Sequence, residues 1–410
     1  MNYFDRVNLS VSHDALVATF GISEFAFGLL SGAYNVTYAL CQLPAGYLLD
    51  RFGVRRVGSV SSFLWSMASF GAAATPGVGG FFAARFLLGV GEAPTFPANA
   101  KAIGYWFPRR ERSFATSLFD ASAKFASAVG VPLIGLLLLR IGWRMSFAAT
   151  GIVSFLYFLL FWRTYRDPVA AVAASQAAGR SAAAHEMSHP AYQPGRRASL
   201  PALLRQRKVI GLALGMGSYN YVFYLLLTWL PVYLSRTLHM DLTHSFLYTG
   251  VPWLFATATD LFAGGWLVDA LLRRGWAPSL VRRTVLVTGM ALGLGILGAA
   301  HAHTLPAALF WISLSIGGLS AAAPVGWSVP SLIAPGDSVG SVGGIMNLSN
   351  QISGIAAPIL TGYLVGVHHS FAAAFTVATV YLVIGIAGYI FLLGEIRPIA
   401  LPGPGAAQRT

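Results

Sequence analysis

Charge is what this chain has least of. Lys, Arg, Asp and Glu make up 10% of its 410 residues, against about 25% in an ordinary soluble domain, while apolar residues reach 56%. That balance excludes a water-soluble globule, and lipid is the solvent around most of the chain. Cysteine is nearly missing, and the single Cys41 rules out an intramolecular disulfide. Lysine is scarce too: its three copies follow Ala100, Ala123 and Arg207. A phosphate-binding loop needs Gly before its Lys, so no ATPase motor resides here. Of the nine histidines, His13, His239, His244, His301, His303, His368 and His369 fall in outer connections and the other two in a polar stretch. None is placed within a span beside a nucleophile, so an embedded enzyme is not implied. His185 to His189 satisfies H-E-x-x-H, a zinc-peptidase spacing, but Pro190 follows at once and no third ligand lies close by. It is a chance match, and no metal or other cofactor is implied.

A crossing helix needs about 20 apolar residues. Apolar runs at 23–48, 57–76, 79–104, 114–139, 145–164, 209–234, 244–269, 284–300, 305–333, 340–366 and 371–394 predict eleven spans with a fragment before them. Only about a dozen residues precede the polar His13 and Asp14, too few to cross a bilayer. The first helix is therefore expected to be truncated, with the natural protein beginning upstream of Met1.

A net charge of +13 would point to nucleic acid in a soluble protein. Here placement decides. Twenty of the 27 Lys and Arg fall in connections after even-numbered spans or in the C-terminal tail; Arg140, Arg144 and Arg236 lie opposite, and Arg6, Arg85, Lys101 and Lys124 within spans. This is the positive-inside pattern, and it needs no nucleic acid. The stretch from Asp167 to Arg205, rich in Ala, Ser, Pro and Arg, lacks a span-length apolar run. It divides the chain into a six-helix bundle at 1–166, a cytoplasmic linker at 167–205, a second bundle at 206–395 and a cytoplasmic tail at 396–410.

One charged turn occurs twice. GYLLDRFGVRR at Gly46 to Arg56 returns, degraded, as GGWLVDALLRR at Gly264 to Arg274, so Asp50 and Asp269 correspond. A turn repeated in corresponding halves points to an internally duplicated transporter. The first copy resembles the loop signature of the major facilitator superfamily, G-x-x-x-D-R-x-G-x-R-R, at Gly46, Asp50, Arg51, Gly53, Arg55 and Arg56. That likeness implies an all-α polytopic membrane fold of two pseudo-symmetric six-helix bundles. It also implies a cytoplasmic gate at these residues and Asp269, where a carboxylate can meet the positive end of a helix in the opposite half.

Ionisable groups inside spans are expensive and mark pathways or proton sites by default. Asp5 with Arg6, Arg85 with Glu92, Asp120 with Lys124, and Asp260 qualify. Asp120 and Lys124 are four apart, the offset of a self-neutralising pair on one helix.

Around these groups, NYFDRVNLS (Asn2 to Ser10), RFLLGVGEAPTFPANAKAIGYWFPRRER (Arg85 to Arg112), YNYVFYLLLTWLPVYL (Tyr219 to Leu234) and GGIMNLSNQISGIAAP (Gly343 to Pro358) resemble the anion:cation symporter family. Its bacterial members carry sugar acids and other carboxylates with protons, and its animal relatives include sialin and the vesicular glutamate transporters. The likeness implies that Asp5 and Glu92 are proton-coupling acids, that Arg6 holds the substrate carboxylate with Arg85 beside it, and that Tyr3, Tyr38, Trp327 and Asn347 line the cavity. Guanidinium suits the task because it grips a carboxylate at two points and stays charged. A polar position common in helix five of relatives falls on Ala123. Its neighbour Lys124 adds a second cation favouring a more acidic substrate if it faces the cavity; if Asp120 neutralises it, the departure is structural.

The expected function is proton-coupled symport of a small organic anion, a sugar acid such as an aldonate or hexuronate. The expected setting is a multi-pass monomer of the bacterial inner membrane that uses protons as coupling ion and no cofactor. A drug or metabolite efflux antiporter of the same fold is the alternative, echoed only by Gly130, Pro132 and Gly135 in helix five.

Overall fold

The computed structural model describes residues 2–107, 112–167, 199–335 and 338–399. The described residues are helical, without strands. In chain order the helices are α1 (Asn2–Val11), α2 (His13–Phe20), α3 (Glu24–Ala74), α4 (Val78–Glu92), α5 (Thr95–Trp106), α6 (Arg112–Thr164), the short α7 (Leu200–Leu204) and α8 (Arg207–Thr237). Then come α9 (Leu242–Thr259), a π-helical stretch (Asp260–Leu267), α10 (Val268–Arg273), α11 (Pro278–Gly293), α12 (Ile296–Ala300), α13 (Leu305–Ile333), α14 (Val339–His368), α15 (Ala372–Ala387) and a last π-helical stretch (Gly388–Leu393). Gly53 (φ 80°) and Gly142 (φ 75°) break α3 and α6, so each of these long helices makes two passages. Positive φ is cheap only for glycine, which explains Gly53 within the charged turn.

The first passage does not stop before His13, contrary to the sequence reading. It continues through α2 to Phe20 and turns at Gly21 (φ 61°). His13 is buried rather than in an outer loop: its ring nitrogens meet Asp14 Oδ1 at 2.8 Å and Glu24 Oε2 at 2.7 Å, and its ring packs 4.4 Å from that of Phe27. Ser12 Oγ donates to Asn8 Oδ1 at 3.2 Å. These polar groups find partners inside the helical packing and so do not end the helix.

Side-chain spacing sorts lipid from protein. On α6, Phe125, Val129, Leu133 and Leu136 are exposed while Ala121, Lys124, Ala128 and Val131 are buried. Both sets recur at helical spacing, which gives one lipid stripe and one protein stripe. On α8, every residue from Gly215 to Leu234 is buried, which places this helix at the centre.

Two seams join the halves. Along the first, a Cβ on Gly28 of α3 would lie 2.5 Å from the Pro358 carbonyl oxygen of α14, and Asn35 Nδ2 donates to Gly354 O at 2.8 Å. Along the second, Gly250 of α9 sits against the Ala128 carbonyl of α6, and Gly135 against the Phe246 ring. Small residues let such helices approach where no water drives them together. Ser10 Oγ of α1 adds a bond to Thr228 O of α8 at 2.6 Å.

All these contacts lie toward the end that carries Gly21 and Gly142. Toward the other end, which carries the Arg51 to Arg56 turn, the first seam stops near Gln42 and Asn347. Beyond it Gly46, Gly340, Gly343 and Gly344 face open space. Along the α3–α14 seam the molecule is thus closed at its charge-poor end and open at its basic end, while on the other seam a Cβ on Gly265 would still lie 3.9 Å from Ser117 of α6.

The basic turn itself is tied within its own half. Asp167 accepts from the backbone N–H of Val54 at 3.2 Å and of Arg55 at 3.1 Å, capping the passage that begins after Gly53. Arg55 Nη2 donates to Trp162 O at 3.3 Å, the Arg51 guanidinium lies 5.3 Å from the centre of the Phe52 ring, and Arg56 is exposed. The side chain of Asp50 lies outside the described residues. Asp269 is exposed and has no ion pair with another described residue. Most of the linker, including His185 to His189, and the tail beyond Ile399 also lie outside the described residues.

Candidate functional site

A cavity of about 450 Å³ lies between the halves, in the range of small-molecule sites. Tyr3, Arg6, Tyr38 and Lys124 line it from one half; Trp327 and Asn347 line it from the other. Six of the sequence-predicted residues therefore converge on one cavity. Asp5, Arg85 and Glu92 do not line it, and Glu92 sits behind Arg6.

Arg6 is the hinge of this arrangement. Its Nε and Nη2 donate to Glu92 Oε2 at 3.0 and 2.8 Å, and its Nη1 to Tyr224 Oη at 3.4 Å. Tyr34 Oη donates to the same Glu92 oxygen at 2.8 Å, while Glu92 Oε1 has no partner among the described residues. The guanidinium also lies over the rings of Tyr3 and Tyr34, 4.6 Å from each centre, and 5.6 Å from that of Tyr38. Cation–π contacts of this kind strengthen when water is excluded.

Glu92 reaches Arg6 because α4 packs tightly on α3. A Cβ on Gly91 would lie 2.8 Å from Trp65 N, and Gly89 abuts the Tyr34 carbonyl. Glu92 ends α4, and Pro94 with Pro97 interrupts the ladder that follows. A cation that faces the cavity is thereby held from behind by an acid. Chemically, an incoming carboxylate and Glu92 compete for one guanidinium.

Asp5 points elsewhere. Adjacent helical residues diverge by about 100°, and the Asp5 carboxylate enters the core of its own half. There it accepts from Ser69 Oγ at 2.5 Å and Ser154 Oγ at 3.2 Å. Arg85 lies 5.4 Å from the centre of the Tyr34 ring and borders a separate cavity of about 20 Å³ with Ser31 and Asn35. Its Nε and Nη1 have no hydrogen-bond partner among the described residues.

Lys124 both lines the cavity and is neutralised. Its Nζ lies 2.5 Å from Asp120 Oδ2 and 2.5 Å from Asp260 Oδ2, the latter across the boundary between the halves. Asp260 opens the π-helical stretch after α9, and irregularities of that kind recur at functional sites.

At the mouth on the basic end, the Phe96 ring lies 5.4 Å from that of Trp327 and 5.3 Å from that of Phe119. Asn347 Nδ2 donates to Gln42 Oε1 at 2.7 Å, again across the halves. The cavity wall also includes Asn350 and Gln351. Both amide atoms of Asn350 and Oε1 of Gln351 are buried without partners among the described residues. Sequence reasoning missed Gln42, Asn350, Gln351 and Tyr224. The first amide cluster was within reach, since Asn350 and Gln351 follow Asn347 by three and four residues and so share its helical face.

The profile of the Major Facilitator Superfamily matches residues 1–354. An uncharacterized transporter of Bacillus subtilis (strain 168), YybO, is 39% identical over 403 residues, covering 98% of this chain and 93% of that protein. The probable galactarate/D-glucarate transporter GarP of Escherichia coli (strain K12) is 30% identical over 419 residues, covering 98% of this chain and 93% of its own. A D-galactonate transporter of Escherichia coli O6:H1 (strain CFT073) is 28% identical over 405 residues, covering 97% and 93%. Among solved structures, a bacterial homolog of the human lysosomal transporter Spinster in an inward-facing, occupied conformation superposes with a TM-score of 0.72 at 18% identity, covering 95% of this chain and 93% of that one. At that identity the likeness is one of fold.

Proposed function

The chain belongs to the major facilitator superfamily, and on that premise we propose that it moves a small sugar acid together with protons across a membrane by alternating access. It is a multi-pass membrane transporter and not an enzyme. One observation carries the reading: Arg6 stands on the cavity wall while Glu92 holds it from behind. A protonated Glu92 has no charge with which to keep the guanidinium, so Arg6 turns to the substrate carboxylate. Loss of that proton restores the buried pair and expels the carboxylate. An uncompensated buried charge is costly, so the site favours binding proton and anion together. Asp5, buried against two serine hydroxyls, is the second proton-exchanging group in this scheme. The names of relatives as galactarate/D-glucarate and D-galactonate transporters support a sugar acid as cargo.

The basic end is read as cytoplasmic from the distribution of Lys and Arg, which makes the observed arrangement inward-open. Residues 1–166 and 206–395 are the two bundles that rock against each other, with the linker and tail in the cytoplasm. The membrane is the bacterial inner membrane, the working unit is a monomer, and the proton is the coupling ion without further cofactor. Asp50, Asp269 and the basic turn close the cytoplasmic side in the outward-open state. Uptake of a panel of labelled carboxylates into proteoliposomes, with and without an imposed pH gradient, tests the proposal. Accumulation of a sugar acid only with the gradient supports it; gradient-independent transport, or extrusion of apolar cations, overturns it.

A further inference from the structure

We infer that the Asp120–Lys124–Asp260 cluster makes this site select monocarboxylate sugar acids, aldonates or hexuronates, and reject dicarboxylate aldarates. The inference rests on the sugar-acid reading and narrows it. Similarity does not decide the matter, because relatives of comparable identity are named for cargoes of both kinds.

A dicarboxylate needs a cation at each end. Among the described residues, the cationic side chains on the cavity wall are Arg6 and Lys124. Arg6 serves the first carboxylate. Lys124 is already committed to two carboxylates at 2.5 Å each, one from its own helix and one from the opposite half. Exposure shows which member the ligand meets: the side chain of Lys124 is 2% exposed and that of Asp260 0%, whereas that of Asp120 is 18% exposed. Asp120 lines the cavity, and Asp260 does not. The far end of a ligand therefore faces a carboxylate oxygen, with the ammonium behind it.

The cluster holds two acids against one base, and Asp260 Oδ1 has no hydrogen-bond partner among the described residues. A second substrate carboxylate would be buried against like charge, which is the repulsive half of specificity. A hydroxyl meets no such penalty. It can donate to Asp120 and pair with the unpartnered Asn350 amide and Gln351 Oε1. A polyol chain ending in one carboxylate matches both ends of the cavity.

Competition against labelled D-galactonate counterflow, with the full chain in proteoliposomes and unlabelled D-galactonate or galactarate as competitor, tests this. In the wild type galactarate should compete at least about tenfold more weakly, a gap that one unpaired like-charge contact can supply. Asp120→Asn, which unmasks the Lys124 ammonium, should shrink that ratio. Asp260→Asn should shrink it as well, by removing charge that does not touch the cavity, and it carries the test if Asp120→Asn fails to fold. Equal competition in the wild type, or a ratio unmoved by the variants that fold, overturns the inference while leaving sugar-acid transport standing. Absence of D-galactonate counterflow, together with no accumulation of any sugar acid from the labelled panel, overturns the sugar-acid reading and this inference with it.

Discussion

Arg236 of α8 reaches across the boundary between the halves, its Nη1 2.6 Å from Glu24 Oε1 of α3 and its Nη2 3.1 Å from Asp14 Oδ1 of α2. With the glycine contacts of the two seams, this fork holds the charge-poor end shut. The groups are partly exposed, so the fork is worth at most about 1 kcal/mol. Arg236→Met is expected to raise the population open at that end by no more than about fivefold. Distances between spin labels on the turns after α2 and after α8 read the shift directly.

Arg6→Lys should weaken sugar-acid binding by roughly tenfold to a hundredfold, the worth of charge-assisted hydrogen bonds lost from a buried site. An ammonium cannot hold Glu92 through two N–H groups while lying flat among three tyrosine rings. Calorimetry on the purified protein checks it, and near-normal affinity would exclude the guanidinium as the carboxylate grip.

Asp5→Asn keeps an acceptor for Ser69 but cannot release a proton. Counterflow exchange should persist while accumulation driven by a pH gradient is lost. Full accumulation in this variant would remove Asp5 from the coupling scheme.

The Gly53 turn is expected to be sensitive to small changes. Gly53→Ala places a Cβ 2.5 Å from Asp167 Oδ2, and backbone at φ 80°, ψ 169° lies in a region that essentially glycine alone occupies, at a cost of about 1–3 kcal/mol for another residue. Asp167→Ala removes a helix cap worth about 1 kcal/mol. Both should lower the thermal midpoint in detergent. Because each change disturbs the same contact, the double variant should fall short of the sum.

Much of this molecule can be read from its residues. The repeated charged turn, the apolar runs and the sidedness of Lys and Arg gave the twofold helical architecture, and the resemblance to the symporter family pointed to Tyr3, Arg6, Arg85 and Glu92. Local pattern failed where a partner lies far along the chain. His13 reads as a loop residue until Glu24 and Phe27 are packed around it. Asp5 needs Ser69 and Ser154, and serines in apolar helices carry no signal of their own. Asp260 was visible as an intramembrane acid, but its bond to Lys124 exists only once α6 and the π-helical stretch after α9 meet between the halves.

The competition between Glu92 and the substrate carboxylate for Arg6 is open to one direct measurement. If binding of the anion requires Glu92 to take up a proton, linkage makes the wild-type dissociation constant for D-galactonate rise with pH, by up to about tenfold per unit for one proton. Glu92→Gln, fixed in the neutral form, should bind with little pH dependence across the same range. Titration calorimetry of both proteins from mildly acidic to mildly alkaline pH gives the two slopes. A steep slope in the wild type and a flat one in Glu92→Gln are expected; equal slopes would contradict the exchange of Arg6 between acid and substrate.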